Sequence, residues 1–105
     1  MEHCYLLHFS APVSHARHYL GTTNDLRQRL QLHRSGRSRA KLIDTAVSQG
    51  ITLQLVRVWP GDWGMERRLK NRKEGPTLCP ICNPRARVGE DERALIARME
   101  GEKWQ

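Results

Sequence analysis

The chain has 105 residues, room for one domain with a modest two- or three-layer core and too few for a second domain of ordinary size. A hydrophobic content of 38%, with Trp, Tyr and Phe all present, excludes a wholly disordered chain. Eighteen Lys and Arg against eleven Asp and Glu leave a formal charge of +7, and the arginine-rich excess suits a polyanionic partner, although charge alone does not separate nucleic acid from an acidic protein or a membrane surface.

The first apolar run, Cys4 to Leu7, is short and follows Glu2 and His3, so neither a signal peptide nor a membrane-spanning helix is expected. Cys4, Cys79 and Cys82 are an odd number with one tight pair, which is not the framework of a small disulfide-bonded protein. A reducing, cytoplasmic or otherwise intracellular setting is expected.

Cys4 to Phe9 is aromatic and aliphatic enough to form a strand, Ser10 to His15 reads as a loop, and Arg17 to Leu20 reads as a second short strand ended by Gly21. So short a connection predicts an antiparallel hairpin. Thr22, Thr23, Asn24 and Asp25 offer helix-capping oxygens, and Leu26, Leu30 and His33 follow at helical spacing, which predicts a helix from Asn24 to about Arg34. Leu42, Ile43, Ala46 and Val47 predict a second helix over Arg39 to Gln49, with Gly50 as its stop. Ile51 to Trp59 is a nine-residue strand rich in branched side chains, and Pro60-Gly61 ends it. A third helix is expected from Trp63 to about Lys73, and a terminal one from Glu90 to Met99. Together these elements predict an α+β fold: a small three-stranded antiparallel sheet flanked by helices over 1–75, followed by an extension over 76–105 that carries the CxxC pair.

Several residues in this order can carry chemistry. Tyr5 and Tyr19 lie on the hairpin strands, and Arg29 and His33, four apart, share one face of the first helix. Gly21 stands between strand and helix, where a missing side chain permits close approach. Each has a plainer explanation: a tyrosine in a strand is usually core, Arg29 could pair with Asp25, His33 could answer the helix dipole, and Glu66 could face solvent opposite Lys70.

Taken together, Tyr5 followed by Tyr19-Leu20-Gly21 and a helix bearing Arg29 and His33 resembles the catalytic domain of the GIY-YIG endonucleases. Tyr19-Leu20-Gly21 stands where that family has its second tripeptide, and His3-Cys4-Tyr5 keeps only the tyrosine of the first. The segment Trp63 to Lys70 is similar to the family's glutamate-bearing helix, so the resemblance spans roughly residues 3 to 73 and points to Glu66 as the metal ligand. It implies a divalent-metal-dependent endonuclease that hydrolyses phosphodiester bonds, with Mg²⁺ or Mn²⁺ held by Glu66 and the phosphate, and Arg29 facing the negative charge of the transition state. Tyr5 is the first choice for the group that activates water, Tyr19 for the one that orients phosphate or water, and His33 for sharing the proton or holding Tyr5. The two tyrosine roles can be exchanged without offending the sequence.

Arg27, Arg34, Arg37, Arg39 and Lys41 around the first helix, and Arg67, Lys70 and Lys73 on the expected glutamate helix, are candidates for gripping backbone phosphates. No element recognisable as a base reader accompanies them, so double-stranded or branched DNA cut with limited sequence specificity is the expected substrate. A catalytically inactive nucleic-acid-binding module of the same fold is the alternative.

Cys79-Pro-Ile-Cys82 has the spacing of half a Zn²⁺ site. Cys4 with one of His3, His8, His15 and His18 could complete it, as could a second chain in a homodimer. A reduced pair that packs a turn is the plainer explanation.

Overall fold

The computed structural model describes residues 2–61, 64, 68 and 75–101. Three strands, β1 (His3–Val13), β2 (Ala16–Thr23) and β3 (Leu53–Pro60), form an antiparallel sheet in the order β2-β1-β3. Helices α1 (Leu26–Ser35) and α2 (Lys41–Ser48) fall between β2 and β3, and a single turn α3 (Gly75–Leu78) and a terminal helix α4 (Glu90–Glu100) follow. This is the α+β arrangement expected, a three-stranded antiparallel sheet with helices against it.

The hairpin differs from the sequence reading. Instead of stopping at Phe9, β1 runs on to Val13, and the expected loop shrinks to a turn at Ser14 and His15, with Ser14 at φ 55°. Pro12 is tolerated in this strand because pairing with β3 ends at Phe9 opposite Leu53, and the register with β2 slips between His8 and Val13. A residue without an N–H therefore interrupts no ladder there.

Alternation along β1 gives the sheet two different faces. Tyr5, Leu7 and Phe9 point into the main core with Leu26, Leu30, Ile43, Ala46, Leu55 and Met99. Leu6 packs on the other side with Val56 and Cys79, joined by the partly buried Leu20, Trp59 and Leu78. A slip in the β1–β3 register, with Leu6 opposite Arg57 and Leu7 opposite Leu55, leaves Val56 as the extra residue of a bulge.

Of the four capping candidates, Asp25 caps α1: its side chain accepts from Gln28 N at 3.1 Å. Gly36, at φ 78°, closes the same helix. The acidic first turn of α4 reaches β3: Glu92 accepts from Arg57 Nε at 2.6 Å, from Arg57 Nη2 at 3.2 Å and from Val58 N at 3.0 Å, and Arg57 Nη1 donates to Leu78 O at 3.1 Å. Among the described residues, no helix is long and apolar enough to cross a membrane.

Candidate active site and a metal-ligand cluster

On the helix face of the sheet, four of the five sequence-predicted catalytic residues come together. Tyr5 lies opposite Gly21 in the β1–β2 register, and Tyr19 stands two residues from Gly21 on the same face. A Cβ on Gly21 would fall 2.5 Å from Tyr5 Oη, 2.6 Å from its Cζ and 2.9 Å from Tyr19 Cε1, so the glycine is the floor on which both rings rest. Tyr5 Oη lies 2.6 Å from His33 Nε2, and the Tyr19 ring meets the His33 ring edge-on at 5.3 Å between centroids. Arg29, one turn before His33 on α1, interacts favourably with both tyrosine hydroxyls. Burial pulls its pKa down, but the contacts with Tyr5 and Tyr19 outweigh that and raise it, so the guanidinium is a fixed cation.

The loop after α1 holds Arg29 from behind. Arg29 Nη1 donates to Ser38 O at 3.1 Å, and Asp44 at the start of α2 accepts from Ser38 N, Ser38 Oγ and Arg39 N at 3.0, 2.8 and 3.0 Å. Desolvation opposes ionisation of Asp44, yet these Ser38 and Arg39 donors keep its carboxyl below the usual carboxylate range. They also sustain Arg39 at φ 65°, a left-handed conformation that a non-glycine residue seldom adopts. Neither Ser38 nor Asp44 was legible as part of the site, since nothing local links them to Arg29.

His33 is fully buried. Burial first, then the charge of Arg29, push its pKa down to about 4 against a partial pull upward from Asp44, so the imidazole is neutral at pH 7. Its Nδ1 is buried without a hydrogen-bond partner among the described residues. A bare lone pair is tolerated there more readily than an orphaned N–H, which favours the tautomer with the proton on Nε2, facing Tyr5. In that state His33 Nε2 donates to the Tyr5 oxygen.

Two expectations follow from this geometry. Gly21→Ala forces its methyl into a Tyr5 ring that is fully buried and already held by His33; a loss of about 1–3 kcal/mol in stability is expected, read as a lower melting temperature. For His33, the unfolded chain takes up a proton near pH 6.5 that the folded chain refuses until about pH 4. Stability should therefore be complete above pH 6.5 and fall through that window as pH is lowered, by about 3 kcal/mol. Melting temperatures measured from pH 7.5 to 4 should show a smaller decline in His33→Gln than in the wild type.

The remaining predicted residues divide. Glu66, Arg67, Lys70 and Lys73, with most of the helix expected to carry them, lie outside the described residues. Arg27, Arg37, Arg39 and Lys41 are exposed around α1 and the following turn. Arg34 is half-buried, donating to Leu53 O at 3.3 Å and ion-paired with Glu100, so it ties α1 to β3 and α4.

The opposite face of the sheet carries a second cluster. His8 and His18 are direct partners across β1 and β2, and Cys79 and Cys82 come up to them from the segment after α3. The four ligand atoms all lie within 4.8 Å of one another, a group capable of coordinating a metal ion. The partners gathered around Cys79 and Cys82 are two histidines, where Cys4 and one histidine were expected. Cys4 is four residues back along the same face, about 13 Å away along the strand, and its Sγ lies 3.9 Å from Thr22 Oγ1. The alternation His8/His18 was the signal available for this pairing, and the unexpected length of the hairpin obscured it. Compared with protein-family models, with curated proteins and with solved structures, the chain matches none of them.

Proposed function

We propose that this protein is a divalent-metal-dependent endonuclease of the GIY-YIG type that hydrolyses phosphodiester bonds in DNA with limited sequence specificity. The observation that carries the reading is the convergence of Tyr5, Tyr19, Arg29 and His33 over Gly21, from positions spread across two strands and a helix. A structural core would not need a half-exposed tyrosine and a guanidinium held in place from behind by a backbone carbonyl.

The donor set of this cluster is two phenols, a neutral imidazole and a cation, and a hard divalent ion needs a carboxylate as well. Glu66 is the residue proposed to hold Mg²⁺ or Mn²⁺, which when bound polarises the phosphate and stabilises the leaving oxygen. The chain's own residues then divide the rest of the work. Arg29 places its positive charge against the phosphate oxygens on which charge develops. Tyr5 is fully buried and Tyr19 only half-buried, so Tyr19 is the phenol that meets water and substrate, and Tyr5 positions it through Arg29 and His33. We therefore assign to Tyr19, in place of Tyr5, the role of taking the proton from water, in its phenolate form. Arg27, Arg37, Arg39 and Lys41 sit where they can grip backbone phosphates beside the cut. That no disulfide joins Cys4, Cys79 or Cys82 fits a reducing, intracellular setting.

The test is cleavage of supercoiled plasmid, linear duplex, flap and junction DNA, and single-stranded RNA, with Mg²⁺, Mn²⁺ or chelator, by wild-type and Glu66→Gln protein. Metal-dependent cleavage by the wild type alone is expected, best on a duplex or branched DNA. Binding without cleavage under every metal would instead make this an inactive binding module, and equal cleavage by Glu66→Gln would remove Glu66 from the metal site.

A further inference from the structure

The cluster on the far face of the sheet has the dimensions of one particular kind of site. His8 Nδ1 lies 3.4 Å from His18 Nε2, Cys79 Sγ 3.6 Å from His8 Nδ1, and Cys82 Sγ 3.7 Å from His8 Nδ1 and 3.5 Å from His18 Nε2. These are poor hydrogen bonds, particularly the nitrogen pair, which lies beyond the usual range. They are, however, close to the edges of a tetrahedron around one ion. With metal–nitrogen bonds of about 2.05 Å and metal–sulfur bonds of about 2.3 Å, those edges are about 3.4 Å between nitrogens and about 3.6 Å between nitrogen and sulfur. A two-iron cluster would seat the histidines and cysteines on different irons and spread them further apart than 4.8 Å allows.

We infer that His8, His18, Cys79 and Cys82 of a single chain form a closed, tetrahedral Zn²⁺ site whose role is to clasp the segment around α3 to the β1–β2 hairpin. Two thiols give up their protons to the solvent as the ion binds, and the two thiolates balance its charge. All four positions are filled by protein, leaving none for a reactive water, which separates a structural site from a catalytic one. The need for a clasp is visible in the packing. Among the described residues the second core consists of Leu6, Val56 and Cys79, with Leu20, Trp59 and Leu78 at its edge, far less apolar surface than the helix face buries. So thin a layer on a small domain calls for a staple. The knuckle itself is pre-shaped: Asn83 N donates to Cys79 O at 2.8 Å, and the Asn83 side chain bonds Thr77 O at 2.7 Å and Arg85 N at 3.1 Å.

This site is independent of the nuclease reading, because alternate residues of β1 carry the two clusters to opposite faces. The experiment is elemental analysis of the full chain purified from zinc-supplemented medium, together with Co²⁺ titration of the metal-stripped protein and its mass in solution. One zinc per monomeric chain is expected, with the intense visible bands and thiolate charge transfer of tetrahedral cobalt. Cys82→Ser and His18→Asn, both at incompletely buried positions, should each weaken zinc binding by at least about 100-fold in competition with a chromogenic chelator. Cys4→Ala and Glu66→Gln should keep the full equivalent, and chelation should lower the melting temperature of the wild type. Metal-free protein with a six-coordinate cobalt spectrum, bound iron, or half an equivalent per chain in a dimer would each overturn the assignment. The wild-type cobalt spectrum decides even if a variant fails to fold, and a nuclease-negative protein that still binds one zinc leaves the site standing.

Discussion

Arg29→Lys is expected to slow phosphodiester cleavage by about 100- to 1,000-fold, the 2.7–4 kcal/mol range measured when one preorganised donor to a developing oxyanion is removed. The conservative substitution is the informative one because it keeps the charge. What it loses is the fork: one arm of Arg29 is committed to Ser38 O at 3.1 Å, and the guanidinium also interacts with Tyr5 and Tyr19. The three donors of an ammonium radiate from one nitrogen and cannot span the separate positions that the planar guanidinium reaches. The loss should appear in the turnover rate, with DNA affinity close to normal because Arg27, Arg37, Arg39 and Lys41 remain. Single-turnover cleavage and a filter-binding titration on the same substrate separate the two quantities. Near-normal turnover by Arg29→Lys would take Arg29 out of the reaction.

Glu92→Ala should have the largest effect on stability. The Arg57 and Glu92 side chains are 9% and 14% exposed, and removing the carboxylate leaves a nearly buried guanidinium without its counter-charge. The Val58 N–H on the outer strand loses its acceptor as well. Breaking one partner of such a pair costs about 3–5 kcal/mol. At about 4–8 °C per kcal/mol for a domain near this size, the melting temperature should fall by at least about 12 °C. Replacing both partners, as Arg57→Met with Glu92→Leu, should recover most of that fall, because the penalty lies in the unpaired charge rather than in the missing bond. A fall no greater than the roughly 1 kcal/mol of a surface ion pair would show that the contact is solvated in solution.

How far the sequence foretold these features depended on whether their cause is local. The strand and helix order follows from hydrophobic period, and helical spacing puts Arg29 and His33 on one face, but Tyr5, Tyr19, Arg29 and His33 stand out as a set only through the resemblance to the GIY-YIG pattern. Boundaries were less legible. Pro12 argues for a loop when read alone, and becomes a strand residue only because β3 has already ended opposite Phe9. Ser38 and Asp44 act on Arg29 through a backbone carbonyl, which has no sequence signature. Arg34 reads in the sequence like its exposed neighbours, and its contacts with Leu53 O and Glu100, both distant along the chain, have no local signature. The cysteine pair announced half of a ligand set, while its histidines waited on the register of a hairpin whose length had been underestimated.

That register makes β1 sensitive to length in a way that substitutions do not test. Tyr5 and His8 differ by an odd number of positions, which is what sends one ring toward the helices and the other toward Cys79 and Cys82. Inserting a single residue between them would rotate one half of the strand relative to the other, so that either the tyrosine or the histidine must face the wrong layer. Inserting two would restore both orientations but separate them by a further ~7 Å and break the pairing of Tyr5 with Gly21 or of His8 with His18. The stretch from Tyr5 to His8 therefore behaves as a fixed ruler between two chemistries, whereas the exposed turn at Ser14 and His15, beyond both of them, is where the chain can accept added length.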